Sequence, residues 1–254
     1  MDIDERDQVA QQFGVAPEQV ERDHLISFLL GFLSERFSDR IHFIGGTALA
    51  RTYLPNGRLS EDIDLIALDS RRAIAEELDA ALPRAVARTH GRLALEPAFS
   101  RVADTLPVTV STVEGMAVKI QLLSSRDRIV WPAERRLLEQ RYSDAPSAEL
   151  VVPTLPAFAA SKTATWADRR APRDLWDLWA LSGIGAIDET ALDLFEKFGP
   201  TNRPPSDYMF KGPPSDVAWQ TQLAGQTRLA VTAAEALTIV REAWANVVTG
   251  EHRK

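Results

Sequence analysis

Residues 45–50 read Gly-Gly-Thr-Ala-Leu-Ala, and residues 58–65 read Arg-Leu-Ser-Glu-Asp-Ile-Asp-Leu. Side chains of a strand alternate between its two faces, so a strand beginning at Asp62 places Asp62 and Asp64 on one face and Ile63 on the other. Two carboxylates so close repel each other unless a cation lies between them. Mg²⁺ binds through one or two carboxylates plus substrate phosphates. The segment therefore predicts a buried strand that opens on a divalent-metal site, a pattern typical of phosphoryl-type chemistry.

The glycines before this strand are the second feature of the segment. Gly45, Gly46 and Thr47 stand between a predicted strand and a predicted short helix. Backbone amides at such a junction, together with the helix dipole, attract phosphate, although an ordinary tight turn has the same sequence. The role of Ser60 also has two interpretations, because its hydroxyl can donate to a phosphate oxygen or cap the local turn. The chain has no Gly-x-x-x-x-Gly-Lys-Ser/Thr motif, which argues against a P-loop NTPase.

A further block lies downstream. Lys162 falls in a predicted helix, and residues 168–178 read DRRAPRDLWDL. This block, coming after the string GGTALARTYLPNGRLSEDIDL at residues 45–65, resembles the AbiEii/AbiGii-type (MenT-like) nucleotidyltransferase toxins of type IV toxin–antitoxin systems. Asp-x-Asp alone occurs often by chance, but the two blocks in this order are specific. With the sequence between them they cover about half of the chain.

The resemblance implies which residues act. It places the metal ligands at Asp62 and Asp64 and completes the catalytic set with Lys162, Asp174 and Asp177. The nucleotide-binding residues that it implies are Gly45, Gly46, Thr47, Ser60, Lys162 and Arg173. Without the resemblance, Lys162 reads as a solvated helix lysine, and Asp174 as an acid that stabilises the first turn of its helix through the dipole.

The resemblance also implies a reaction and partners. The expected reaction is Mg²⁺-dependent transfer of a nucleoside monophosphate from a nucleoside triphosphate (NTP) to an acceptor, with Mn²⁺ as the alternative ion and pyrophosphate as the product. The expected acceptor is the 3′ end of tRNA, and the expected protein partner is a cognate antitoxin. Two other functions stay open. One is a non-catalytic nucleotide-binding regulator, and the other is a transferase that modifies a small molecule.

Gln121 departs from the pattern of the family. A third carboxylate on a neighbouring strand often completes such metal sites, but here residues 119–122 read Lys-Ile-Gln-Leu. A neutral amide cannot deprotonate an attacking hydroxyl. Either the metal alone activates the acceptor, or Glu114, Asp174 or Asp177 supplies the missing charge, or the protein is a weak catalyst. We favour Asp174 or Asp177, because their block otherwise follows the family.

Composition narrows the function classes. The 254 residues are 45% hydrophobic and 26% charged, as in globular proteins, and contain no cysteine, which excludes disulfides and thiolate catalysis. The net charge of −7 argues against nucleic-acid binding by the whole surface. Arginines nevertheless cluster, and each cluster either contacts phosphate or lies on a solvated helix face paired with nearby acids: 126/128, 135/136/141 and 169/170/173. The acidic N-terminus and the lack of a long apolar run predict a cytoplasmic protein without a membrane span.

Hydrophobic periodicity predicts an α/β protein in two parts. Residues 1–152 are expected to form a nucleotidyltransferase-like domain with a mixed sheet, and residues 153–254 a helical domain that completes the active-site cleft. The expected strands are 41–44, 62–68, 92–95, 108–113 and 117–122. The expected helices are 20–37, 47–53, 71–90 with a kink or break at Pro83, 155–167, 172–181, 189–198 and 217–249 with a break near Gly225; residues 199–216 are expected to form a loop.

Overall fold

A computed structural model describes residues 1–126 and 128–250, so the last four residues of the predicted helical domain lie outside the described part. The helices are α1 (Ile3–Phe13), α2 (Pro17–Phe37), α3 (Gly45–Ala50), α4 (Arg71–Ala85), α5 (Leu155–Arg169), α6 (Pro172–Gly183), α7 (Glu189–Phe198), α8 (Asp216–Leu223) and α9 (Ala233–Thr249). The strands are β1 (Ile41–Ile44), β2 (Asp62–Ala67), β3 (Ala94–Glu96), β4 (Val108–Ser111), β5 (Ala117–Ser124), β6 (Ala133–Leu137) and β7 (Glu149–Pro153). No described helix is long and apolar enough to cross a bilayer.

The strands form one mixed sheet, which confirms the predicted α/β class. Their order is β3-β4-β5-β2-β1-β7-β6. Strand β2 lies in the middle of the sheet, antiparallel to β1 and parallel to β5. The chain divides into two compact units, the first comprising Met1–Pro153 and the second beginning at Thr154. All seven strands of the described sheet belong to the first unit.

Several boundaries differ from the prediction. Helix α4 ends at Ala85 rather than near residue 90. Pro83 lies inside its last turn, where the missing N–H removes one intrahelical hydrogen bond, and the helix ends two residues later. The predicted break near Gly225 is confirmed, because α8 ends at Leu223 and α9 begins at Ala233. Helix α1 and strands β6 and β7 were not predicted.

Helix α2 supplies much of the apolar core of the first unit. Leu25, Ile26, Leu29 and Leu30 are fully buried, and the helix packs against β5 and β7. Ala16 precedes it without a side-chain cap, and Pro17 occupies its first turn, where its fixed φ favours helix formation. This packing stabilises the sheet to which β2 belongs.

Three of the largest fully buried side chains in the core of the second unit are tryptophans. The indole N–H of Trp166 on α5 donates to the carbonyl of Met209 at 2.9 Å, and that of Trp244 on α9 donates to the hydroxyl of Thr163 at 3.1 Å. Trp219 on α8 is also buried, with its N–H bonded to a backbone carbonyl. Because each polar N–H has a partner, these large side chains can be buried without an unsatisfied donor.

A histidine pair in the first unit couples the N-terminus to the fold. His24 Nε2 lies 2.9 Å from Oδ1 of Asp144, and His24 Nδ1 lies 3.0 Å from Nε2 of His90. The terminal ammonium of Met1 forms an ion pair with Asp144. Burial lowers the pKa of His90 to about 4, helped by the positive charges of His24 and the N-terminus and opposed by the negative charges of Asp144 and Glu114.

Stability should therefore fall as the pH falls from about 6.5 towards about 4. In this window the unfolded chain protonates residue 90, whereas the folded chain resists that proton, so acid favours unfolding. Urea unfolding at pH 7.5, 6.0 and 5.0 would measure the loss. His90→Gln should flatten this dependence without removing it, because burial also lowers the pKa of His42. An unchanged pH profile in His90→Gln would contradict this assignment.

Candidate active site

Strand β2 carries the predicted acid pair at its first and third positions. Asp62 and Asp64 are half-buried and share one face, while Ile63 and Leu65 are fully buried on the other. Since β2 is hydrogen-bonded on both edges, its backbone position is fixed. The alternation that the sequence predicts is therefore present in the sheet.

The two glycines lie directly against this acid pair and its neighbours. Ile44, the last residue of β1, pairs with Asp64, so the chain turns into α3 beside the carboxylate. Gly45 has a φ of +80°, and a Cβ there would lie 2.3 Å from Oδ2 of Asp64. A Cβ at Gly46 would lie 2.6 Å from Nη2 of Arg58 and 3.3 Å from Oγ of Ser60. Gly45 is needed for this close approach, because its backbone conformation also strains any other residue, whereas a Cβ at Gly46 meets the flexible end of Arg58.

The remaining residues of the segment hold the turn in place. The hydroxyl of Thr47 donates to the carbonyl of Asp62, and its side chain is buried. Any contact of Thr47 with a nucleotide would therefore come from its backbone amide. Arg58 and Ser60 are also buried, and both lie against Gly46. The first unit thus brings the predicted glycines, Ser60 and Asp64 to one place.

Gln121 occupies the neighbouring position on β5. In the parallel register it pairs with Asp64, while Lys119 pairs with Asp62. Paired residues of neighbouring strands point to the same face, so the amide lies beside the carboxylate, where the sequence predicted it. Its Nε2 donates to the carbonyl of Asp104 at 3.4 Å.

The acid pair is suited to a magnesium ion whose shell is completed by substrate and water, and not to a metal held by protein ligands alone. Among the described residues no group of three His, Cys, Asp or Glu is arranged to hold a metal. Mg²⁺ needs only one or two carboxylates when substrate phosphates and water complete its shell. Asp62 and Asp64, with the amide oxygen of Gln121 as a weak third ligand, fit this requirement.

An ion cluster in the second unit joins most of the predicted residues of the second block, and its members other than Arg169 are buried. Lys162 Nζ lies 2.6 Å from Oδ2 of Asp177 and 3.3 Å from Oδ1 of Asp174. Arg169 donates to both oxygens of Asp174, at 2.7 and 3.0 Å. The two acids are at most 2% exposed and Lys162 is 8% exposed. Reading Lys162 as a solvated lysine is therefore wrong.

The spacing of these residues explains the cluster. Lys162 and Arg169 are seven residues apart on α5, and Asp174 and Asp177 are three apart on α6, so each pair shares one helix face. The role of Arg169 as a partner of Asp174 was missed, although the seven-residue spacing contained the signal. Arg173 lies in the first turn of α6 with its side chain half-buried.

A second buried network, also missed, holds the other end of α3. Arg51 follows this helix, and its Nη2 lies 2.9 Å from Oδ1 of Asp23 on α2. Arg141 lies 3.5 Å from Oδ2 of Asp23 and donates to the carbonyl of Ala50 at 2.9 Å. Burial lowers the pKa of Arg51 to about 10, opposed by the charge of Asp23. Burial, followed by the charge of Asp23, raises the pKa of Tyr142, whose hydroxyl donates to that acid.

This network corrects one interpretation of the arginine clusters. Arg135 and Arg136 lie on strand β6, not on a helix face, although Arg136 does approach Glu134 at 3.7 Å. Arg141 is neither solvated nor helical, because its side chain is only 7% exposed and pairs with Asp23. The partner is 118 residues away in the chain, and no local pattern indicates it.

Comparison with known proteins agrees with the two sequence blocks. A family model described as nucleotidyl transferase AbiEii toxin, type IV TA system, matches residues 27–250. Among solved structures, MenT4, a nucleotidyltransferase toxin from Mycobacterium tuberculosis H37Rv, has the same fold, with a TM-score of 0.68 at 23% sequence identity. The alignment covers 96% of this chain and 89% of MenT4. No curated protein sequence matches the chain significantly.

Proposed function

The chain belongs to the AbiEii family of nucleotidyltransferase toxins of type IV toxin–antitoxin systems, and from this premise we propose that it transfers a nucleoside monophosphate from an NTP to RNA, at the 3′ end of tRNA. One observation carries the proposal. The backbone of Gly45 lies so close to the carboxylate of Asp64 that a Cβ would be 2.3 Å from it. A glycine turn at the start of a helix and a carboxylate pair are thus adjacent, which is an arrangement suited to transfer at phosphorus.

In the proposed reaction the acceptor hydroxyl oxygen bonds to the α-phosphorus. The bond from that phosphorus to the bridging oxygen breaks, and pyrophosphate leaves with the electron pair. Asp62 and Asp64 would hold Mg²⁺, or Mn²⁺ in its place, which supplies charge neutralisation at the reacting phosphates. The amides of Gly45, Gly46 and Thr47, together with the hydroxyl of Ser60, would bind phosphate oxygens.

The proposal assigns roles to the second block as well. Lys162 and Arg173 would neutralise negative charge on the triphosphate. Asp174 or Asp177 would compensate for the neutral Gln121 by accepting the proton of the acceptor hydroxyl. Both acids also hold Lys162 in one orientation through the ion pairs at 3.3 and 2.6 Å.

Labelling the acceptor pool would test the function. Purified protein is incubated with each radiolabelled NTP, with Mg²⁺ or EDTA, and with either total cellular RNA or total cellular protein. We expect label in RNA of tRNA size, only with Mg²⁺. Label in protein, or in neither pool, would overturn the RNA acceptor. NTP binding without pyrophosphate release would favour a non-catalytic nucleotide-binding regulator. Label in a small molecule would favour a small-molecule transferase.

A cognate antitoxin is the expected partner. The gene product should inhibit growth when it is expressed alone, and co-expression of the antitoxin should relieve that inhibition. Growth arrest that persists in a variant without transfer activity would separate toxicity from this chemistry.

Gly45→Ala should lower the transfer rate about a hundredfold, because a displacement of about 1 Å at a reacting centre has an effect of this size. The added Cβ would collide with Asp64, and a φ of +80° strains any residue other than glycine. Gly46→Ala is the comparison, since its Cβ meets the flexible end of Arg58 and should cause a smaller loss. Single-turnover assays on both variants would measure the difference, and a larger loss in Gly46→Ala would contradict it.

A further inference from the structure

Tyr208 exposes its ring although the residues after it are anchored in the core of the second unit. It lies on a 3₁₀ turn over Asp207–Phe210, and its side chain is 67% exposed, whereas Met209 and Phe210 are 9% and 3% exposed. Hydrophobic burial orients the turn, so the exposed ring is held in place by its neighbours. A large aromatic side chain displayed in this way is available to a partner.

Two hydrogen bonds fix this turn to α5. The indole N–H of Trp166 donates to the carbonyl of Met209 at 2.9 Å, and Arg170 Nη2 donates to the carbonyl of Tyr208 at 3.2 Å. Arg170 ends α5 with a φ of +50°, a conformation that is uncommon for a residue other than glycine. The backbone beneath the exposed ring is therefore preorganised, which lowers the entropy lost when a partner binds.

Two exposed cations lie over the ring of Tyr208. The guanidinium carbon of Arg170 lies 6.0 Å from the ring centroid, and Lys211 Nζ lies 4.6 Å from it. Both side chains are exposed, in a chain whose net charge is −7. Asp168 and Asp207, which are close to these residues in the sequence, are also exposed. We name Arg170, Tyr208 and Lys211 the aromatic–basic patch.

We propose that the aromatic–basic patch binds the single-stranded end of the RNA acceptor, with one base stacked on Tyr208 and the adjacent phosphates on Arg170 and Lys211. Single-stranded nucleic acid is bound by this combination of an aromatic platform and cations, without sequence preference. A protein partner would need a larger apolar area than one ring supplies. This inference rests on the proposed RNA-directed function.

The patch is separated from Lys162 by about two turns of helix along the axis of α5. Arg170 follows Lys162 by eight residues along α5 and its C-cap, a rise of about 12 Å at 1.5 Å per residue. Stacked nucleotides advance about 3.4 Å each, so the patch would hold a base roughly three to four nucleotides from a terminus at Lys162. The proposed contacts therefore suit a short unpaired 3′ end.

Binding of a 5′-fluorescein-labelled, 12-nucleotide single-stranded RNA, measured by anisotropy without NTP, would test the patch directly. Tyr208→Ala should weaken binding about tenfold, whereas Tyr208→Phe should bind almost as the parent does, because stacking needs the ring and not the hydroxyl. Lys211→Gln should reduce the slope of log K against log salt by about 0.7, the value for one phosphate of a single strand. Lys197→Gln is the matched control, since Lys197 also lies over an aromatic ring, that of Phe198, at 4.9 Å.

Transfer assays separate the two proposals. With tRNA as acceptor, Tyr208→Ala should raise the KM for tRNA about tenfold, a larger change than in kcat, and leave the KM for NTP near that of the parent. If the parent labels tRNA and Tyr208→Ala matches it in both assays, the patch proposal is wrong and the proposed function stands. If the parent labels no RNA, the proposed function fails. If Tyr208→Ala loses affinity for the antitoxin but not for RNA, the patch is a protein-binding surface and our inference is overturned.

Discussion

Asp64→Ala is expected to reduce nucleotide transfer at least about a thousandfold. Removing one of two carboxylate ligands would lose most of the charge stabilisation by the metal, worth several kcal/mol, and about 4 kcal/mol corresponds to a thousandfold. Asp62→Ala should behave in the same way. The fold should persist, because the deletion relieves repulsion within the pair and leaves Ile63 and Leu65 buried. Single-turnover transfer over a Mg²⁺ titration, together with thermal unfolding, would measure both effects.

Glu61→Gln is the control for this experiment. Glu61 precedes the acid pair directly, and its carboxylate lies 3.4 Å from Arg22 with 38% of the side chain exposed. An exposed ion pair contributes about 0–1 kcal/mol, so this variant should stay close to the parent in stability and in transfer. Expression without antitoxin should then arrest growth with Glu61→Gln but not with Asp64→Ala. Near-normal Mg²⁺-dependent transfer by Asp64→Ala would show that the metal assignment is wrong.

Lys162→Met is expected to have the largest effect on stability, about 3–5 kcal/mol. The substitution removes the cation that contacts two buried carboxylates, Asp174 at 3.3 Å and Asp177 at 2.6 Å. Lys197→Met, at an exposed position on α7, should cost far less. Urea unfolding of the parent and both variants would measure the difference. A Lys162→Met protein as stable as the parent would contradict the stabilising role of the ion cluster.

A double variant separates stability from catalysis at this position. Lys162→Met with Asp177→Asn removes one charge of each sign, so Arg169 and Asp174 remain as a balanced pair at 2.7 Å. Much of the stability should return. If Lys162 neutralises charge on the triphosphate, transfer should stay impaired and the KM for NTP should stay raised. Recovery of transfer along with stability would instead make Lys162 a structural residue, and would remove it from the proposed reaction.

The buried cluster bears on how Gln121 is compensated. Asp174 accepts two hydrogen bonds from Arg169 and one from Lys162, so both of its oxygens already have donors. Asp177 has the shorter contact with Lys162, at 2.6 Å. The general-base role proposed for either acid therefore competes with its role as a partner of Lys162, and the double variant above tests both at Asp177.

Local sequence pattern was sufficient to predict the features that depend only on residues close together in the chain. The alternation at 62–65 predicted a buried strand with the acids on one face, and the glycine pair at Gly45 predicted a turn between a strand and a short helix. The break near Gly225 also followed from local signals. Periodicity encodes the type of an element and the face that it buries, so these features could be predicted from short segments.

The strands β6 and β7 escaped this reasoning. Residues 133–137 read Ala-Glu-Arg-Arg-Leu, a charged segment without the alternation of a half-buried strand. Its strand conformation comes from pairing with β7, which in turn pairs with β1, a strand more than a hundred residues earlier. Such pairing is decided by the sheet and not by the propensity of the segment.

The sequence by itself determined the α/β class, the acid pair on β2 and the glycine turn. Only the tertiary structure decided that Lys162 is buried between two carboxylates, and that Arg51 and Arg141 meet at Asp23 beneath α3. The physical reason is that periodicity acts over a few residues, whereas the energy of a buried charge depends on partners that the folded chain brings from distant positions.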